Sequence, residues 1–369
     1  MSAGFDNVSI EIIKLSIKYI VEPLSHLVKN SFEWSSTRFL KIARVCPIFK
    51  SGNNADFINF RPISVLPSFS KIFEKLFYNR LLNYLSQDSI LSVNQYGFRN
   101  NHDTSMALLE MIDKITNARD SNAFSIGIFI DLSNGFDTLN HNILFDKLEH
   151  DGIRGVVLQW FKSYLHNRPQ YVVYNGWQSA KFTIKCGIPH GSILGPILFL
   201  NYINDITNVF RLLLFADDTN IFMEHRDIEA HVTRINSELV KLADWFPANR
   251  LFLNVSKTNF IIFRSSKKKY NPTLINISLN AHQITQIYTK FLGVYIDERL
   301  NWEEQFKQLS TKLSKNIGVL LRLKLYLTTK LLHLVYNSLI LPYLAYCNLI
   351  WTCASPGTIK KIVTLEKKL

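Results

Sequence analysis

The stretch LLLFADDTNIF, residues 212–222, sets the terms on which the rest of this 369-residue chain is read. Apolar runs flank Asp217-Asp218, which predicts two short strands joined through the carboxylate pair. A second stretch, SIGIFIDL at residues 125–132, reads as a buried strand ending in Asp131. A charged side chain at the end of an apolar strand is costly when it is merely buried. Two such sites in one chain point to carboxylates converging on bound cations. Hard oxygen ligands favour Mg²⁺, which keeps several waters and also binds phosphates. Two such ions, about 3.5–4 Å apart, can activate an attacking oxygen and stabilise a leaving one in an in-line phosphoryl displacement. Each site alone has a plainer explanation. Asp is a common turn residue, and Asp131 by itself reads as a strand-end cap.

Outward from these stretches, strands and helices mix without regular βαβ alternation, which argues for an α+β class. Residues 44–49 (RVCPIF) read as a strand and 50–59 as a polar loop. A helix is expected over 68–85, with Ile72, Leu76, Leu81 and Leu85 on its apolar face. Further helices are expected over 136–150, stopped by Gly152, over 192–206, and over 226–245. Asn175-Gly176, between apolar runs, predicts a hairpin. Residues 260–263 and 291–296 read as strands, and everything after Asn301 as helical.

Composition narrows the function. Lys and Arg number 42 against 29 Asp and Glu, for a net charge of +13. That charge leaves nucleic acid, a membrane surface or an acidic protein as partners. Hydrophobic residues make up 47% of the chain, too many for a disordered one. The first thirty residues carry Asp6, Glu11 and Glu22 and do not read as a secretory leader. His333, Asn337, Pro342 and Asn348 interrupt the most apolar stretch, 332–350. It therefore reads as a buried helix pair rather than a membrane span. Cys46, Cys186, Cys347 and Cys353 are too scattered for a disulfide framework or a zinc site and read as reduced core thiols.

The two acidic stretches belong to an ordered series of motifs: RVCPIFKSG (44–52), FRPISVLPSFSKIFEKL (60–76), NQYGFR (94–99), FIDLSNGFDTLNH (129–141), GIPHGSILGPILFLNYINDI (187–206), LFADD (214–218), LNVSKT (253–258) and FLGVYID (291–297). Each is weak or moderate alone, whereas eight in this order are specific. In them the chain resembles, nearly end to end, the reverse transcriptase domain of non-LTR retrotransposons of the LINE-type, jockey-like group. The resemblance implies an α+β right-hand polymerase fold whose palm carries the catalytic carboxylates on an antiparallel sheet. Fingers would occupy 1–120 with a contribution from 150–190, the palm 121–298, and a basic, thumb-like helical region 299–369. It further implies an RNA-directed DNA polymerase, a nucleotidyltransferase that extends a primer 3′-OH with dNTPs along an RNA template. Two Mg²⁺ ions would serve it, with Mn²⁺ able to substitute. Its place would be inside the cell, in nucleus or cytoplasm and not on a membrane.

Residue roles follow motif by motif. Asp131 and Asp217 match the main metal ligands, with the carbonyl of Leu132 nearby, and Asp218 matches the second carboxylate of the hairpin, a metal ligand or an electrostatic support. Lys257 matches a Lys that protonates the leaving pyrophosphate. Lys50 and Arg61 match the basic positions that grip the triphosphate, Arg as a bidentate fork and Lys as a point charge. Phe136 matches an aromatic that crowds a ribose 2′-OH. His190 and Gly191 match a turn beside the incoming nucleotide, and Phe291, Leu292 and Gly293 match the primer grip. Plainer readings stand beside these: a core Phe136, a solvated Lys50, a structural Arg61, a surface Lys257.

Three departures from the pattern stand out. His190 replaces the usual Gln and lacks its paired donor and acceptor. Asn134-Gly135 replaces Lys-Ala, and residues 2–6 resemble a motif normally internal to a longer polyprotein. The resemblance also implies that the thumb-like region stops before the family's usual C-terminal extension and that endonuclease activity comes from elsewhere. A catalytically weak or inactive nucleic-acid-binding remnant of such an element is therefore the alternative to an active polymerase.

Overall fold

The strand expected at 125–132 spans Phe124–Ile130 in a computed structural model that describes residues 3–33, 38–265, 267–279, 282–286 and 288–367. All seven of its residues are buried, because a strand pairs with it along each edge. Asp218–His225 runs antiparallel on one side and Asn259–Phe263 antiparallel on the other. Leu212–Phe215 then pairs with Asp218–His225, and Thr285–Gln286 adds in parallel beyond Asn259–Phe263. The result is a five-stranded sheet in which the LFADD stretch is a tight hairpin, with Phe215 opposite Asp218. Helix Thr104–Asp120 covers the sheet through Ala107, Leu108, Met111 and Ile115, all fully or almost fully buried. Asp103 caps this helix by accepting the Met106 amide at 2.8 Å.

This sheet belongs to one of two compact units, built from Arg99–Asp131, Arg211–Ala243 and Leu253–Leu369. Past the sheet the unit continues into a short hairpin, Thr289–Phe291 with Val294–Ile296. The helices Glu303–Leu323, Thr329–Leu339 and Pro356–Glu366 follow, joined by short turns of helix.

The other unit comprises Met1–Phe98, Leu132–Phe210 and Asp244–Phe252. Its sheet centres on Ala43–Phe49, antiparallel to Phe60–Val65 and parallel to Arg168–Tyr174. Helices Ser68–Gln87, His141–His150, Gly155–Leu165 and Leu194–Ile203 pack together beside it. Leu194–Ile203 is buried along nearly its whole length, which suits its apolar sequence LGPILFLNYI.

Several expectations need correction. The buried face of helix Ser68–Gln87 runs through Phe73, Phe77, Leu81 and Leu85, while Leu76 is exposed and Ile72 only partly covered. A buried Glu74 on that face hides the apolar pattern. The helix expected over 136–150 is split into Gly135–Thr138 and His141–His150. The Asn140 side chain accepts the Asn142 and Ile143 amides and starts a new helix. The one expected over 192–206 is confined to Leu194–Ile203, since the Asn204 side chain instead bonds Ser92 and Ile90. Residues 291–296 are not one strand but the turn and arm of the hairpin just described.

The stretch 332–350 is not a buried pair either. Helix Thr329–Leu339 packs on one side against Glu303–Leu323 and leaves Leu331, Leu334 and Leu339 exposed. Among the described residues no helix is long and apolar enough to cross a membrane. Of the four cysteines, Cys347 alone is buried, Cys46 is half-buried, and Cys186 and Cys353 are exposed.

The central strand leaves no room at Gly127. A Cβ there would lie 2.7 Å from the Phe222 ring and 3.0 Å from that of Phe263. Gly127→Val should therefore lower the urea unfolding midpoint by the equivalent of about 1–3 kcal/mol, the usual cost of overpacking. An unchanged midpoint would mean that the two rings move aside freely.

Candidate active site

The carboxylates are placed by strand pairing. Ile130 lies opposite Thr219, so the next pair outward brings Asp131 to the level of Asp218. Asp217 occupies the hairpin turn itself. Ala216 before it takes a left-handed conformation, φ 55°, although it is not glycine. Asp217 is exposed and Asp218 half-buried. Burial, then the charges of Asp217 and Asp131, push the Asp218 carboxyl up to about 7. A carboxyl raised in this way, by burial first and then by like charges, is characteristic of functional sites.

Lys257 is the cation beside it, with Nζ 3.7 Å from Asp131 Oδ2. The side chain is 70% exposed, so the pair neutralises little. The loop bearing Lys257 is tied to the strand end, because the Asn254 amide donates to the Asp131 carbonyl at 2.9 Å. Among the described residues no group of three His, Cys, Asp or Glu side chains is placed to hold a metal ion. The donor chemistry nevertheless fits a divalent cation: oxygen donors gathered by the paired strands.

The expected primer-grip residues form the turn of a neighbouring hairpin in the same unit. Phe291 packs against Phe129 with ring centroids 5.6 Å apart, two residues before Asp131. Leu292 and Gly293 both take positive φ, 45° and 85°. Tyr346 holds this turn: its hydroxyl donates to the Leu292 carbonyl at 2.7 Å, and its ring lies under Gly293, where a Cβ would come within 3.2 Å. The eight motifs do not include Tyr346, and only its distant contact reveals it.

The remaining expected residues lie in the other unit. Ile48 pairs with Arg61, and the Lys50 amide donates to the Asn59 carbonyl at 2.8 Å. Strand alternation therefore puts the exposed Lys50 and Arg61 on one face of their hairpin. Leu132 is buried. Phe136 stacks on Phe199 with centroids 4.3 Å apart and tilts against the His190 ring at 5.2 Å. The Ile188 amide donates to the Phe136 carbonyl at 2.9 Å, fixing the His190 turn to that residue.

His190 itself is paired: Nε2 lies 3.3 Å from Asp137 Oδ1, and its carbonyl accepts the Ser64 amide at 2.6 Å. At Gly191, φ is 106° and a Cβ would lie 2.8 Å from the Ser64 carbonyl, so this position admits only glycine. A cavity of about 360 Å³ opens beside the turn, lined by Ser64, Asp137, Gln170, Cys186 and His190 among others. Asp137 was not foreseen. Its signal in the sequence is the acidic residue directly after Phe136.

Residues 50–309 match the reverse transcriptase (RNA-dependent DNA polymerase) family. The chain belongs to the reverse transcriptase family. Every expected site residue lies within the matched span, and the α+β right-hand polymerase class follows from membership. Among curated relatives, the "Probable RNA-directed DNA polymerase from transposon X-element" of Drosophila melanogaster is 28% identical over 96% of this chain and 39% of its own length. The RNA-directed DNA polymerase from mobile element jockey of the same species is 27% identical over 89% of this chain and 37% of its own. The expected kinship with jockey-like non-LTR elements thus holds.

The chain spans about two fifths of the length of these relatives. Among solved structures, apo telomerase from Candida tropicalis overlaps 75% of this chain and 58% of its own at 14% identity, with a TM-score of 0.47, a likeness too loose to build on. Reverse transcriptases use divalent metal ions, in keeping with the gathered carboxylates.

The raised Asp218 carboxyl has a measurable consequence. Its value in the folded chain, about 7, exceeds the ordinary unfolded value near 4. The folded state is thus favoured at low pH, and this advantage is lost as pH rises through about 7. In EDTA, Asp218→Asn should raise the melting temperature at pH 8, with the gain shrinking steadily toward pH 4. A gain of equal size at both ends, or none at pH 8, would contradict the raised carboxyl.

Proposed function

We propose that this chain is the polymerase of a non-LTR retrotransposon, copying RNA into DNA by extending a primer 3′-OH with dNTPs. The observation that carries the reading is the gathering of Asp131, Asp217 and Asp218 by two paired strands, with Asp218 driven up to about 7 by burial and its neighbours. Phosphoryl transfer needs mostly positioning and charge stabilisation, and this cluster is suited to both. Two Mg²⁺ ions, when bound there, would acidify the primer hydroxyl and offset charge on the triphosphate and the departing pyrophosphate.

On this reading the chain's own groups divide the work. Asp131 and Asp217 hold the cations, and Asp218 sets the local field. Lys257, on an exposed side chain beside Asp131, delivers a proton to the leaving pyrophosphate. Lys50 and Arg61 share one face of a hairpin and grip the triphosphate, Arg61 by two parallel hydrogen bonds. The ring of Phe136, backed by Phe199, stands against a ribose 2′-OH. The turn Leu292-Gly293 positions the primer end.

We assign 1–120, with 150–190, to fingers, 121–298 to palm and 299–369 to thumb. The surplus of Lys and Arg beyond Asn301 would follow the phosphate backbone of the template–primer duplex, a contact that salt weakens. The site of action would be inside the cell, where RNA and dNTPs are present. The pairing of His190 with Asp137 supports an active enzyme over a remnant, since the departure from Gln is built into the turn.

Purified protein should incorporate dTTP on poly(rA)/oligo(dT) in Mg²⁺. Asp217→Ala should lower that rate by roughly a thousandfold or more, as loss of a transition-state charge contact does. Equal rates in the two proteins would overturn the metal assignment. With the same template, Phe136→Val should raise rUTP use relative to dTTP by tenfold or more. An unchanged ratio would return Phe136 to a packing role.

A further inference from the structure

Beneath the His190 turn lies a carboxylate to which the motif roles assign nothing. Glu74, on helix Ser68–Gln87, is 1% exposed. Its Oε2 accepts the Ile193 amide at 2.6 Å, and its Oε1 accepts the Tyr164 hydroxyl at 3.0 Å and that of Ser70 at 3.4 Å. Burial pushes its carboxyl above the usual range, while these donors and the Arg168 guanidinium pull the other way. A charged group in such a place is tolerated only when its acceptor capacity is met.

The amide it holds is no ordinary one. Ile193 is the N-cap of helix Leu194–Ile203, and its apolar side chain makes no capping bond. Ser192 Oγ accepts the Gly195 amide at 3.0 Å, and Glu74 takes the Ile193 amide. A carboxylate from another helix thus sits at a helix N-terminus, where free amides and the helix dipole favour negative charge. Immediately before this end come Pro189, His190 and Gly191. Besides Phe136 and Asp137, the Ser64 amide anchors them, bonded to the His190 carbonyl at 2.6 Å. Ser64 and Glu74 lie in one stretch, FRPISVLPSFSKIFEKL, which also carries Arg61. One segment therefore grips the turn at both ends.

We propose that Glu74 is a positioning residue that fixes the His190–Ser192 turn for the incoming dNTP, an inference that rests on the polymerase reading above. Tyr164 and Ser70 orient the carboxylate. Arg168, stacked 4.6 Å over the Tyr164 ring and bonded to the Tyr164 carbonyl at 2.9 Å, supports Tyr164 in turn. Glu74 touches no reacting atom. It acts through the backbone of Ile193.

The test compares wild type, Glu74→Ala, Glu74→Gln and Tyr164→Phe by dTTP kinetics on poly(rA)/oligo(dT), template–primer affinity, and backbone hydrogen exchange over 188–195. Glu74→Ala should raise KM for dTTP tenfold or more, keep template–primer affinity within twofold, and speed exchange at Ile193. Glu74→Gln retains one acceptor oxygen and should fall between. Tyr164→Phe leaves the Ile193 bond in place and should change KM less than Glu74→Gln. An unchanged KM in folded Glu74→Ala would overturn the proposal, and so would equal losses in dTTP KM and template–primer affinity. If wild type itself incorporates nothing, the polymerase reading has failed. Exchange then decides the anchoring alone: faster exchange at Ile193 in Glu74→Gln keeps it, and unchanged exchange removes it.

Discussion

Three carboxylates that repel one another are held together by backbone hydrogen bonds, and the structure of this part of the chain depends on that opposition. Strand pairing is rigid enough to set Asp131 at the level of Asp218 and to leave Asp217 at the turn. The consequence shows in the raised Asp218 carboxyl. A fold that merely sought stability would place neutral residues there, because relieving such repulsion without a counter-ion is stabilising. The strained conformation of Ala216 points the same way, since a turn free of other demands would have glycine or asparagine at that position. The sheet that imposes the arrangement is itself tight, to the point that Gly127 has no space for a methyl group.

Within each unit, the turns to which the polymerase reading gives a role are held by a side chain from far away in sequence. Tyr346 secures the Leu292-Gly293 turn. Asp137 pairs with His190, and Glu74 caps the helix that follows it. A turn exposed to a ligand cannot be stabilised by burial, so distant hydrogen bonds must restrict it instead. The two compact units use the same device separately.

Much of this was legible in the residues. LLLFADDTNIF alternates between apolar runs and a carboxylate pair, and a tight hairpin is the way such a sequence can bury the first and expose the second. Asn175-Gly176 announced its own turn. Other parts were hidden for physical reasons. Glu74 interrupts the apolar face of its helix, so periodicity selected Leu76, which is exposed, over Phe73 and Phe77. Leu292 is no turn-former, and it takes a positive φ where Tyr346, 54 residues away, holds its carbonyl. Asn140 looks like a helix residue until its side chain is seen capping the next helix. The apolar composition of 332–350 indicated a helix but said nothing about what covers it. Except at Asn140, whose cap is local, distant partners decide these cases, and a local pattern carries no record of them.

The central claim is that paired strands concentrate negative charge so that divalent cations can drive RNA-templated DNA synthesis. The most direct measurement is extension of a DNA primer on an RNA of defined, mixed sequence, in Mg²⁺ and in EDTA, with the product sequenced. The account predicts DNA complementary to the RNA in Mg²⁺ and no product in EDTA. Folded protein that yields no product in Mg²⁺, or the same product in EDTA, would contradict it.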